Sequence, residues 1–175
     1  MTLDRRRISA DLLLLLTSLL FGFGFIPQKV VTDEHFGHFL FNGLRFVLGS
    51  AVLVPLLLRR QGRAPSAGQA KGMFRWSLAA GCVLAAAANC QQAGIAHTTA
   101  GSAGFLTGLY VVMVPFVLLV AWRKRITWRA WVAAVAAAGG AWLLSDANEL
   151  TLGYGDRLVL AGSALWAVHI VLVGR

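Results

Sequence analysis

Residues 11–29 read DLLLLLTSLLFGFGFIPQK. Residues 12–26 are apolar apart from Thr17 and Ser18. With the flanking Ile8 and Val31 the run reaches the roughly 20 residues that a helix needs to cross a bilayer. Arg5, Arg6 and Arg7 precede it, as they would in a secretory leader. No small-x-small cleavage site comes after Phe21, however, and more apolar runs come later, so the stretch reads as a retained helix. It closes on Pro27, Gln28 and Lys29, an ending that a plain lipid anchor does not need.

The composition is that of a membrane protein. Charged residues make up 13% of the 175-residue chain, against about 25% in soluble domains, and a soluble core of this length could not bury so many apolar runs. The net charge of +9 does not mark a nucleic-acid partner, because the basic residues lie in short loops between apolar runs rather than on one face. Cys82 and Cys90 share one run and read as small apolar residues. Eight helical residues separate their α-carbons by about 12 Å, beyond the roughly 7 Å that a disulfide tolerates.

Six runs are long enough to span, at about 8–31, 36–58, 74–96, 100–122, 128–145 and 155–173. They are continuous and rich in Leu and Ala, which favours an all-α polytopic membrane protein over a barrel. Lys and Arg set the orientation. Arg5–Arg7, then Arg59, Arg60, Arg63, Lys71 and Arg75, then Arg123, Lys124, Arg125 and Arg129 occupy alternate loops. The loops between carry Asp33 and Glu34, the turn at His97, and the acidic stretch 146–156. Both termini are therefore placed in the cytoplasm.

The first run has an echo. Laid over one another from Asp11 and Asp156, residues 11–29 and 156–175 pair Leu13 with Leu158, Leu15 with Leu160, Ser18 with Ser163 and Leu20 with Leu165. Phe21 falls on Trp166. The first copy starts inside and the second outside, so the repeat unit holds five helices and its second copy is inverted, a design of secondary transporters. Residues 1–150 would be the first repeat and 151–175 the first helix of the second. On that expectation the chain is a fragment, or a half that assembles with another chain.

The ordered motifs resemble the EamA-type members of the drug/metabolite transporter superfamily. They are Phe21-Gly22, Leu44-Arg45-Phe46, the run AHTTAG at 96–101, Pro115-Phe116, the run GGAWLL at 139–144, Gly155-Asp156 and the run ALWA at 164–167. The chain departs from that pattern in having Phe21 where the family often has Trp, and basic residues where an acid often closes helix four. The resemblance implies about ten helices in two inverted repeats around a midplane cavity. It further implies alternating access for a small metabolite, an amino acid or a drug-like compound, and location in the inner membrane of a bacterium. The implied partners are the lipid bilayer, the small-molecule substrate, and a second copy or the missing C-terminal half. No cofactor is implied.

Six residues are candidate substrate contacts. Arg45 lies about nine residues, or roughly 13 Å, inside helix two. A charge at that depth either clamps a carboxylate or snorkels to the interface. Lys29 comes shortly after Pro27, which either kinks the helix or marks its outer end. Asn89 and Gln92 are three apart on one helix face, as substrate contacts or as hydrogen bonds to neighbouring helices. His169, with Trp166 one turn before it, is either a proton relay or a packed residue. Gly104 and Gly108 form a small-xxx-small pair read as close helix packing. No catalytic set is found: Ser163 and His169 are six apart, and motifs such as His-Glu-x-x-His are missing. His35 and His38 are too few for a metal site.

Overall fold

The computed structural model describes residues 5–34, 37–59, 66–123, 127–144 and 152–174, all but a few of them helical and none in a strand. The helices are α1 (Arg5–Phe23), α2 (Phe25–Asp33), α3 (His38–Arg59), α4 (Ala67–Ile95), α5 (Ala100–Gly108), α6 (Tyr110–Trp122), α7 (Trp128–Leu144) and α8 (Tyr154–Val173). His35, Arg60, Arg63, Lys124, Arg125 and most of the acidic stretch 146–156 lie outside the described residues. Five spans among the described residues are long and apolar enough to cross a membrane, with α1 and α2 together forming one and α5 and α6 another. α7, at 17 residues, is at the short end of the spanning range. The all-α, multi-pass architecture expected from the runs is what the structure has.

The first span does not end at Pro27. It is jointed at Gly24 and continues as α2 to Asp33. A proline has no N–H to offer the carbonyl four residues back, here that of Phe23, and Pro27 sits in the first turn of α2 where this loss is tolerated. The fourth span is likewise jointed, at Leu109. There Gly108 weakens the helix, and Pro115 withholds its donor from Val111.

The apolar side chains point mostly outward. Only 6% of the spanning window is buried in the first span and in α3, against 39% in α4. In water such rows of exposed Leu and Val would be untenable, whereas lipid is as apolar as they are. α4 is thus the centre of the bundle, and its most extensive partner among the described residues is α8. The two approach at glycines. A β-carbon on Gly155 would lie 2.6 Å from the Gly94 carbonyl oxygen, and one on Gly162 would lie 3.0 Å from that of Ala87. Bare backbone lets helices come this close, and dispersion and packing drive association inside a membrane.

The ends are capped. Ser66 and Gln69 form a reciprocal capping box at the start of α4, and the Thr99 hydroxyl accepts from the Ser102 N–H at 3.1 Å to start α5. Asp156 does more. One carboxylate oxygen accepts from the Gly153 N–H at 3.0 Å, and the other accepts from the hydroxyls of Thr98 at 2.5 Å and Ser102 at 2.9 Å. This single acid fastens the N-terminus of α8 to the α4–α5 turn, at the end that the charge pattern assigns to the outside.

Candidate functional site

A groove of about 840 Å³ runs between the two jointed spans. Thr17, Ser18, Phe21, Gly22, Phe25 and Ile26 form one wall, from α1 and the start of α2. The facing wall, from α5 and the start of α6, carries Gly101, Gly104 and Gly108 with Phe105 and Tyr110. Those glycines recur at i, i+3 and i+7, so they share one helix face and leave it without side chains. The volume of the groove comes largely from this bare face.

This corrects the expected role of Gly104 and Gly108. A β-carbon at Gly104 would reach nothing nearer than the Phe25 ring, at 3.8 Å, and one at Gly108 would meet nothing within 4 Å. The pair opens a space rather than closing a helix contact. The tight contacts fall at Gly94, Gly155 and Gly162.

The chemistry of the groove is aromatic and weakly polar. Phe21 and Phe25 meet edge to face with centroids 5.7 Å apart. The hydroxyls of Thr17 and Ser18 donate to the carbonyls of Leu13 and Leu14 at 2.8 and 2.9 Å, which leaves their oxygens able to accept. None of the described lining residues is charged.

None of the six sequence candidates is among the lining residues. Three of them, Gln92, Lys29 and Arg45, come together instead around α2, while Asn89 ties α4 to α3. Gln92 donates to the Thr32 hydroxyl at 2.7 Å and to the Gln28 carbonyl at 3.2 Å. Lys29 pairs with Asp33 at 2.9 Å and donates to the Ile95 carbonyl at 3.2 Å. Asn89 accepts from Asn42 at 3.2 Å and donates to the Ala85 carbonyl at 2.8 Å. Arg45 donates to the Gln28 side chain over a long 3.4 Å. Together Gln92, Lys29 and Arg45 brace α2 against α3 and α4. Among the described residues the buried Oδ1 of Asn42 and Oε1 of Gln92 find no partner.

His169 and Trp166 lie apart from that network, on α8. His169 Nδ1 is 3.0 Å from the Ala80 carbonyl, which fixes it as the donor and leaves Nε2 able to accept. The Trp166 ring meets His169 and Phe21 edge to face, and its buried Nε1 finds no partner among the described residues. Cys82 and Cys90 are unpaired. Sequence reasoning does not single out Asn42, Gln28 or Thr32 as members of the network. Asn42 is a lone amide in an apolar run, the same signal that draws attention to Asn89, whereas nothing local distinguishes Thr32.

Residues 8–146 match the EamA-like transporter family. An uncharacterized transporter of Archaeoglobus fulgidus is 27% identical over 171 residues, which cover 97% of this chain and 50% of the relative. The chain thus spans about half the length of the curated relative it matches. No solved structure matches.

Proposed function

Because the chain belongs to the EamA-like transporter family, whose members are membrane transporters of small molecules rather than enzymes, we propose that the groove between the jointed spans is its substrate path. The cargo is a small metabolite, an amino acid or a drug-like compound, and the membrane is the inner membrane of a bacterium. The observation that carries this reading is an 840 Å³ aromatic groove between two apolar spans, each locally loosened by glycine and proline at Gly24 and Leu109 while its backbone stays right-handed helical. A cavity between membrane helices is where carriers bind their cargo. Aromatic faces and hydroxyl edges suit a cargo with an apolar body and a small polar group. Movement is by alternating access, and the protein hydrolyses no nucleotide.

In this proposal the spans up to α7 form one five-helix repeat, and α8 opens an inverted second one. The groove is partly open to its surroundings. That favours a second reading as well, in which this chain is a half-size subunit whose groove a partner chain completes. The bracing network of Lys29, Arg45 and Gln92 holds α2 in place as the wall flexes.

The test is flux of radiolabelled aromatic and aliphatic metabolites into liposomes bearing the protein, alone and with the helices of a full-length relative. Gly104→Trp fills the groove and should abolish any flux seen. Equal flux through both proteins would remove the groove as the path.

A further inference from the structure

Two buried oxygens between α2, α3 and α4 lack a donor. Asn42 is 2% exposed and Gln92 1% exposed. Among the described residues neither Asn42 Oδ1 nor Gln92 Oε1 has a hydrogen-bond partner. An unpaired buried acceptor is destabilising, the more so inside a membrane. Turning the amides over does not help. Asn42 Nδ2 donates to the Ala88 carbonyl and to Asn89 Oδ1, both at 3.2 Å. Gln92 Nε2 donates to the Gln28 carbonyl at 3.2 Å and to the Thr32 hydroxyl at 2.7 Å. A flip would set an oxygen against a carbonyl oxygen in each case.

The two oxygens belong to one turn of α4. Ala88 is four residues before Gln92, so the carbonyl that takes Asn42 is also the one that the Gln92 N–H takes within the helix. Arg45 is three residues after Asn42, on the same face of α3. Its guanidinium is directed at the same cluster, where it donates to Gln28 Oε1 at 3.4 Å. Gln28 is in turn the residue whose carbonyl holds Gln92. A guanidinium has five N–H donors, and Arg45 commits one of them to this long bond. The cluster thus has two acceptors too many beside a group with donors to spare.

A molecule that donates twice and also accepts would reconcile them. We infer that one water molecule is bound here, donating to Asn42 Oδ1 and Gln92 Oε1 and accepting from an Arg45 N–H. About three hydrogen bonds are the usual complement of a buried water. Metal ions also take amide oxygens, but the neighbouring guanidinium repels a cation and leaves a neutral molecule unopposed. Arg45 is then a positioning residue, holding the water that ties α2, α3 and α4 together. The site stands independently of the groove and of its cargo.

Water-edited solid-state NMR of the full chain in lipid bilayers, with Asn and Gln side chains isotope-labelled, tests it. Magnetisation from water should reach the side-chain amides of Asn42 and Gln92 early. It should not reach Gln91, which is 3% exposed and donates to the Thr107 hydroxyl at 2.7 Å. Asn42→Leu, which removes one acceptor at similar volume, should lose the transfer to Gln92. Should that variant not fold, the contrast between Gln91 and Gln92 in the wild type decides instead. Dry amides at Asn42 and Gln92, or transfer to Gln91 that matches theirs, would overturn the site. Replacing sodium chloride by choline chloride should leave both resonances in place, and a shift of either would assign the site to a metal cation and overturn the water.

Discussion

Phe21 and Trp166 meet edge to face, with ring centroids 6.3 Å apart and planes at 88°. These residues also occupy the same place when the first and last spans are overlaid. Two residues that are related by a two-fold axis and touch each other must straddle that axis. The contact thus supports placing the pseudo-two-fold of the proposed inverted repeat between the two rings, on the edge of the groove that Phe21 lines. Aromatic pairs contribute about 0.5–1.5 kcal/mol beyond their area. A double-mutant cycle of Phe21→Ala and Trp166→Ala, read from unfolding of the purified protein in detergent, should return a coupling in that range. Additive single effects would break the pairing and with it the placement of the axis.

Gly155 is the point of closest approach between α4 and α8. Its β-carbon position faces the backbone of Gly94 and His97, and backbone cannot rotate away as a flexible side chain can. Gly155→Ala should destabilise the protein by about 1–3 kcal/mol, the usual cost of overpacking. Gly43→Ala is the control. A β-carbon there meets nothing within 4 Å, and helix propensity alone favours alanine by up to about 1 kcal/mol. Thermal unfolding midpoints that fall equally for both would dissociate α8 from its close contact with α4.

The spans are legible in the sequence because lipid demands long apolar runs and the loops carry the orienting charge. The joint at Gly24 is half legible. Pro27 announces a perturbed helix, but whether the chain stops or bends there depends on contacts made further along. α2 continues because Lys29, Thr32 and Gln92 hold it to α4. Spacing misleads at Gly104 and Gly108. A small-xxx-small pair shows that a helix face is bare, and not whether another helix covers it. The tight glycines Gly155 and Gly162 are seven apart and carry no such motif. Three of the six candidate residues, Lys29, Arg45 and Gln92, do come together, yet as a brace of α2. Polar residues in an apolar run announce that they need partners; only tertiary structure says that Gln92 finds Thr32 rather than a ligand.

That last contact can be measured. Gln92 donates to the Thr32 hydroxyl at 2.7 Å across α2 and α4. Interhelical hydrogen bonds in membranes average about 0.6 kcal/mol in double-mutant cycles and reach about 1.7. A cycle of Gln92→Ala with Thr32→Val should give a coupling between those figures. The Gln92→Ala protein should keep substrate affinity while losing stability. A loss of affinity with stability unchanged would instead make Gln92 a binding residue.

Alternating access makes a sharper demand on the groove. Cys82 and Cys90 are unpaired, so replacing both by serine breaks no bond and yields a background for single-cysteine labelling. Ser18 lines the groove one and a half turns before the Gly24 joint, and Ser18→Cys places a thiol there. If the jointed spans swing about Gly24 and Leu109, that thiol faces each side of the membrane in turn. A membrane-impermeant maleimide should then react with it in right-side-out and in inverted vesicles alike. Gly24→Ala should slow the reaction on one side. Alanine stiffens a helix relative to glycine. Val47→Cys, on the exposed outer face of α3, is the control for lipid-facing thiols and should react from neither side. Labelling of Ser18→Cys from one face only, at a rate that Gly24→Ala leaves unchanged, would describe a fixed cleft and end the alternating-access reading.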